Sequence, residues 1–577
     1  MSFFTKYIKK YYKLFFLAIF CITLEVTSDL MQPTIMSKLV DDGVANGRLD
    51  YVLKLGSIMF GIALFGAIAA VTRNVVATRV AQDFGAELRE DLFKKIQRLD
   101  FENIDKFDRA SLITRLTNDV SNVQQFTYGL MRFFVRAPLI GIGAIIMAIR
   151  MDFKLSLILI TIVPIIVVIV SISLKMGYPL FNRVQKAIDK MNMVTREYLR
   201  GVRVVKAFNR FDYERERFDA VNSGLTDQSI RAMRVMSIFN PTVTIIVNIG
   251  VVLILWFGGV RINSGTLEVG KIIAFTNYMT QLLFSLMSLV MIFTYLVRAK
   301  TSLARIAQVF SESPTIKEDI KRVIEHDLSG DLEFKNVSFS YSGLKGEPVL
   351  RNISFHVGKG ETLGIIGSTG SGKTSLVNLT ARFYDVNEGC ILLDGVDVRD
   401  IAINELRSKL SVVPQRSVLF SGTIKDNVRW GKEDATEEEI IEVCKISSAH
   451  EFISKFKDGY ESRIGQSGTN LSGGQKQRLS IARALIKKPE ILILDDSTSA
   501  VDTATEFQIR ADLKEYAQGL TTVIIAQRIT SVMDADEIIV LDEGEIVGLG
   551  KHEELMKQCD VYKDIYKSQV GSKTVAS

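Results

Sequence analysis

The dominant pattern in the chain is a series of six apolar segments, at roughly 15–36, 53–77, 132–149, 153–174, 239–260 and 272–297. Each is long enough to cross a bilayer as a helix. The connections 37–52, 150–152 and 261–271 are short, whereas 78–131 and 175–238 are long and almost free of Gly and Pro. Such connections predict membrane helices that continue well past the bilayer. They also carry the basic clusters, including Arg89, Lys94, Lys95, Arg98, Arg196, Arg200, Arg203 and Lys206, which the positive-inside rule assigns to the cytoplasm. Lys6, Lys9, Lys10 and Lys13 hold the start of the first span on that same side. Glu25 and Asp29 interrupt this span and no small-x-small site follows, so it reads as a membrane helix and not as a cleaved signal.

Beyond about residue 300 the pattern becomes that of a water-soluble α/β domain. The expected organisation is a membrane domain over 1–310 with two long intracellular loops, a charged linker over 311–330, a soluble domain over 331–570 and a flexible tail over 571–577. DLEFKNVSFSY alternates as a strand ending at Tyr341, and ETLGIIG is a buried strand. Ile491–Leu494 reads as a strand buried on both faces of a parallel sheet. The segment opened by Ser472 reads as a helix running to Lys488, where Pro489 stops it.

Composition refines this picture. Of 577 residues 47% are hydrophobic, which points to a membrane protein rather than a string of soluble domains. The net charge of +6 is spread along loops beside apolar runs, so it serves orientation in the membrane and no nucleic-acid partner is expected. Cys21, Cys390, Cys444 and Cys559 lack metal-ligand spacing and fit a reduced, cytosolic soluble part.

Polar residues inside the spans are informative because they are costly. Glu25 and Asp29 are four apart and share a helix face. An acid at a helix centre costs roughly 2.5 to 3.5 kcal/mol on insertion scales, so the pair must face a substrate path, a partner or the outer rim. Arg132 and Arg136 repeat the spacing near the inner end of the third span, where they line a path or snorkel. Asn240, Thr244, Asn248, Asn277 and Gln281 mix with Phe239, Phe275, Phe284, Met287, Met291 and Phe293. That mixture fits helix packing or a wide pocket for a bulky amphipathic ligand.

The soluble half carries phosphate chemistry. GSTGSGKT spans Gly367, Ser368, Thr369, Gly370, Ser371, Gly372, Lys373 and Thr374 between a strand and a helix start, which is the P-loop pattern in its required context. Its glycines let backbone N–H groups wrap a phosphate, Lys373 reaches the β and γ phosphates, and Thr374 supplies a Mg²⁺ ligand. Ser472, Gly473 and Gly474 open a helix, so their N–H groups make a second anion site. Asp495 ends a buried strand, where a second Mg²⁺ ligand is needed.

The LSGGQ stretch, from Leu471 to Gln475, followed by a hydrophobic strand and the acids Asp495 and Asp496, resembles the signature motif and Walker B of ATP-binding cassette (ABC) ATPases. The resemblance covers essentially the whole chain. It implies an all-α six-helix transmembrane domain of the ABC exporter type followed by a P-loop α/β nucleotide-binding domain. It further implies that 101–120 and 196–218 are intracellular loops with short transverse helices, that Tyr341 stacks on adenine, that Gln415 is the Q-loop residue linking Mg²⁺ and the attacking water to the membrane domain, and that Asp502 is the D-loop residue. ATP and Mg²⁺ are the implied cofactors, with Thr374, Gln415 and Asp495 at the metal and Gln475 in the nucleotide-binding signature.

Three positions depart from the family pattern. Asp496 stands where the catalytic Glu is usual, Gln527 in VIIAQR where the switch His is usual, and Gln466 where exporters commonly carry Glu. With every binding position kept, this resembles the degenerate-site subunit of bacterial heterodimeric multidrug exporters. The implied partner is a homologous half-transporter with its Glu and His intact, and the implied task is export of amphipathic small molecules across the cytoplasmic (inner) membrane. A lipid or peptide exporter shares the same architecture, and an ATP-gated channel or regulatory membrane ATPase is the reading from another class.

Overall fold

The computed structural model describes residues 2–316, 329–341, 346–516 and 519–571. Its contacts divide the chain into two compact units, Met1–Gln97 with Arg109–Glu312, and Arg98–Asp108 with Ser313–Ser577. Most of the predicted linker and the end of the predicted tail lie outside the described residues.

The first unit is helical throughout. Its elements are α1 (Ser2–Lys38), α2 (Leu49–Gln97), the helical run α3 (Arg109–Met151), α4 (Phe153–Ala207), α5 (Phe211–Asn263) and α6 (Val269–Ser311). The first five contain stretches long and apolar enough to cross a membrane. The sixth predicted span falls within α6, where the side chains of Met291 and Phe293 lie outside the described residues. With 49, 55 and 53 residues, α2, α4 and α5 are far longer than the ~20 residues a bilayer needs. They account for the polar, Gly- and Pro-poor connections.

Large apolar side chains such as Phe16, Phe60, Ile68 and Trp256 point outward, as they must where the surrounding solvent is lipid. The inner faces meet around Ile22, Val26, Ile140, Leu159 and Tyr278. Small residues set the closest approaches. A Cβ at Gly66 would stand 2.8 Å from the Ser28 Cβ, so only glycine lets α2 lie this near α1.

The predicted loops differ from the structure in one respect. Within 101–120 a short helix, Phe101–Asp105, is followed by the start of α3. Within 196–218 there is no separate transverse helix: α4 continues to Ala207, three residues turn, and α5 begins at Phe211. The apolar and basic residues there keep a helical period up to the turn, which leaves nothing to break the helices sooner.

The second unit holds β1 (Leu332–Phe339), β2 (Leu350–Val357), β3 (Thr362–Gly367), β4 (Glu388–Leu393), β5 (Val396–Asp397), β6 (Leu410–Val413), β7 (Gly422–Thr423), β8 (Arg463–Ile464), β9 (Ile491–Asp495), β10 (Thr521–Ile525), β11 (Glu537–Asp542) and β12 (Glu545–Gly550). The principal sheet runs β12-β11-β3-β10-β9-β6, parallel apart from the β12 edge. An antiparallel sheet, β2-β1-β4-β5, packs on it through Phe334, Ile353, Leu363 and Leu376. The register pairs Ile525 with both Asp495 and Ile365. The loops leaving β3, β9 and β10 therefore emerge side by side at one carboxyl edge, where an open parallel sheet binds its ligand.

The helix α7 (Lys373–Thr380) follows β3, α8 (Gly473–Leu485) precedes β9, and α9 (Thr503–Tyr516) follows it. α8 ends three residues earlier than expected, because Lys488 already sits at φ +52°. The Pro489 ring disfavours helical backbone at the residue before it.

Residues 98–108, flanked on both sides by membrane helices, belong to this second unit. Phe101 lies 4.8 Å from the Phe383 ring, the Tyr384 hydroxyl donates to Asp105 at 2.6 Å, and Asp100 accepts from the Ile316 N–H at 2.9 Å.

Candidate functional site

The converging loops form a cleft of about 280 Å³ lined by Thr369, Gly370, Gly372, Lys373 and Thr374 on one side and by Gln415, Asp495, Asp496 and Gln527 on the other. Four separate sequence motifs thus meet in one place. Gly372 stands at φ +100°, and a Cβ there would come 2.6 Å from Leu350 Cδ2, so the turn into α7 requires glycine. The loop closes around Lys373, whose ammonium donates to the Gly367 carbonyl at 2.9 Å and the Ser368 carbonyl at 2.7 Å. These are weak partners for a cation, readily exchanged for phosphate oxygens. Ser371 is buried beneath the loop, 3.4 Å from the same ammonium.

Asp495 is buried at the end of β9 and accepts a hydrogen bond from the Thr374 hydroxyl. Burial raises its carboxyl above the ordinary range and the neighbouring Asp496 adds to this, while Thr374 and Lys373 oppose it. Burial likewise lowers the Lys373 ammonium, against the pull of Asp495 and Asp496. A buried acid whose charge is disfavoured, beside a hydroxyl and an amide, fits a divalent cation that would relieve that cost.

Asp496 is arranged differently. Its backbone is left-handed, at φ +47°, and one carboxylate oxygen accepts from both the Gln415 amide at 3.1 Å and the Gln527 amide at 3.2 Å. Asp496 and Gln527 therefore contact each other directly. Among the described residues no histidine lines this cleft: His356 pairs with Asp331, His450 with Tyr460 and His552 with Tyr562, and His326 lies outside the described residues.

Tyr341 follows β1 and is 43% exposed. Its hydroxyl lies 3.0 Å from Ser375 Oγ and accepts from Asn378 at 3.3 Å, both on α7. The ring therefore stands at the side of the phosphate loop, edge-on to Tyr384 at 5.1 Å.

The signature segment does not enter this cleft. Ser472 caps α8, accepting from the Gln475 N–H at 3.3 Å, and the Gln475 side chain accepts from the Ser472 N–H at 2.9 Å. The capping box thus occupies Gln475 and leaves the N–H groups of Gly473 and Gly474 at an exposed helix terminus. Gln466 sits in a short turn ahead of it, over Gln466–Gly468. Asp502 starts α9, and the Thr505 N–H holds its carboxyl below the ordinary range.

Sequence reading missed two supports. Gln477 joins α8 to the loop after β9, accepting from the Ala500 N–H at 2.9 Å and donating to Ser499 at 3.2 Å. Buried Glu506 gathers Thr498 at 3.0 Å, Ser531 at 2.6 Å and Arg510 at 3.1 Å, tying that loop to the turn after Gln527. Neither residue stands out within its helix, and only the long-range contacts identify it.

A nucleotide-sized cleft with phosphate loop and buried acid, and a separate helix opened by Ser472, joined in one chain to a bundle of membrane helices, define an ATP-driven membrane transporter. The chain belongs to the ABC transporters: residues 15–286 match the family model for the ABC transporter transmembrane region and 350–499 that for the ABC transporter. It is 40% identical to the uncharacterized ABC transporter ATP-binding protein YfiB of Bacillus subtilis, over 98% of each chain. It is 32% identical to "Putative multidrug export ATP-binding/permease protein YgaD" of the same organism, over 99% of each. Among solved structures it resembles a bacterial Atm1-family ABC exporter with ATP bound, with a TM-score of 0.80, 26% identity and coverage of 97% and 98%. The protein is thus a multi-pass membrane ABC exporter half whose second unit is an ATP-binding, transport-coupled ATPase.

Proposed function

We propose that this chain is the degenerate-site half of a heterodimeric exporter that moves amphipathic compounds outward across the cytoplasmic membrane, with 1–310 as membrane domain, 311–330 as linker and 331–570 as cytoplasmic ATPase domain. The observation that carries this reading is the Asp496 carboxylate, bound by the amides of Gln415 and Gln527. A general base must offer a free lone pair to the proton of the attacking water. Here one oxygen is occupied twice, and the side chain is a methylene shorter than the Glu it replaces. Gln527 offers a neutral amide where an imidazole would meet the γ-phosphate.

Binding is supported where hydrolysis is not. Gly367 through Thr374 supply the phosphate cradle, Tyr341 the adenine platform, and Thr374, Asp495 and Gln415 the Mg²⁺ ligands. The metal, when bound, neutralises phosphate charge. Ser472, Gly473, Gly474 and Gln475 form the signature lent to a homologous partner that retains Glu and His. The name of the Bacillus relative at 32% identity supports multidrug export as the substrate class.

The test is an ATPase assay on the purified chain alone. It should bind ATP with Mg²⁺ and turn it over slowly, and gain activity only with its partner. Vigorous hydrolysis by the chain as a homodimer would overturn the division of labour.

A further inference from the structure

The membrane unit separates the two acids that share a face of α1. Glu25 is buried between Arg73 Nε and Arg136 Nε, each at 3.2 Å, and is consumed in holding α1, α2 and α3 together. Asp29, one turn away, keeps 41% of its side chain exposed and meets Arg136 through one oxygen, at 3.0 Å. Arg136 therefore does not simply snorkel; it bridges the acids.

Asp29 opens into a cavity of about 240 Å³ between α1, α3 and α6. Its polar lining consists mainly of acceptors. Gln281 spends one of its two amide N–H groups on the Asp29 carbonyl at 3.2 Å, and its Oε1 is buried without a hydrogen-bond partner. Ser285 spends its proton on the Ala137 carbonyl at 2.6 Å and Ser288 on the Phe284 carbonyl at 2.8 Å. Apart from the second N–H of the Gln281 amide, what these groups have left to offer a ligand is lone pairs. The one cation among the described lining residues, Arg136, already serves two carboxylates. Phe133 and Phe284 supply ring faces or edges at the same cavity.

We infer that this cavity is a subsite for the head of an amphiphile bearing a protonated primary or secondary amine, with Asp29 as counter-ion and Gln281 Oε1 as second acceptor. An ammonium with two or three N–H donors can serve the Asp29 carboxylate, which Arg136 meets through one oxygen only, and the unpartnered Gln281 Oε1 together. An incoming carboxylate would face Asp29 and the unpaired Gln281 oxygen, and would compete with Glu25 and Asp29 for Arg136. Whole drug-sized ligands need about 300 to 1,000 Å³, so the cavity takes the amine and its adjoining carbons and leaves the tail outside.

This inference rests on the reading of the protein as an exporter of amphiphiles, and names the head group. The test measures binding of a fluorescent long-chain primary amine to the full chain in nanodiscs, beside its N-acetylated, trimethylammonium and carboxylate analogues. The amine should bind at least ten-fold tighter than the acetylated analogue, and tighter than the trimethylammonium analogue, which has no N–H. Asp29→Asn should erase that preference without weakening the neutral analogue, whose retained binding reports a folded protein. Gln281→Leu should reduce amine affinity about three-fold. Equal affinity for amine and neutral analogue, a preference for the carboxylate, or an amine preference that survives both substitutions would overturn the inference. ATP-driven flux of the neutral analogue by the assembled transporter tests the export reading separately: flux without amine selectivity removes only the subsite.

Discussion

Two phosphate-facing regions of the ATPase unit stand in contrast. At the N-terminus of α8 the side chains of Ser472 and Gln475 are tied to the backbone of their own cap, and the glycine N–H groups remain available. In the cleft at the end of β9 the reverse holds: the backbone cradle is open, and the Asp496 side chain is held by its neighbours. Local, self-contained capping preserves a binding device, whereas two side-chain amides fix one oxygen of the Asp496 carboxylate in place.

The sharpest test of this contrast restores the missing groups. Asp496→Glu combined with Gln527→His should raise ATP turnover by the chain alone by about 10² to 10⁴, the usual worth of a placed general base, read by phosphate release in single turnover. No gain would mean that the loss lies elsewhere in the cleft. Next in size is damage to the other region. Gly473→Asp puts a carboxylate at the anion-binding helix end, and should lower ATPase of the assembled transporter by about 10² to 10³, the scale of a lost oxyanion donor. Asp496→Ala should change that same activity little. Equal losses would make this chain's own site catalytic.

Lys373→Ala probes retained binding. Hydrogen bonds to charged groups contribute about 1.5 to 3 kcal/mol, so ATP affinity of the isolated chain should fall roughly ten- to a hundred-fold, measured with a fluorescent nucleotide. Smallest is a control outside both regions. Tyr384→Phe removes the bond to Asp105 and should cost the ATPase unit about 1 kcal/mol of stability, seen in thermal unfolding, with nucleotide affinity unchanged.

Much of this molecule was legible in the amino-acid order because local chemistry wrote it there. Apolar runs of bilayer length can only be membrane helices once no water is present to satisfy the backbone. The phosphate loop is equally local, since its glycines, lysine and hydroxyl act within eight consecutive residues between a strand and a helix. The departures at Asp496 and Gln527 were visible too, as residues. That they touch was not, because Asp496 meets partners 81 and 31 positions away, brought together by the register of β9 and β10. The fate of Glu25 and Asp29 was decided in the same way. Helical spacing put both on one face, but only the packing of α2 and α3 against α1 gave one acid two arginines and left the other facing a cavity. Periodicity and motif chemistry depend on neighbours in the chain, whereas the pairing of charges depends on neighbours in space, and those exist only after the helices have packed.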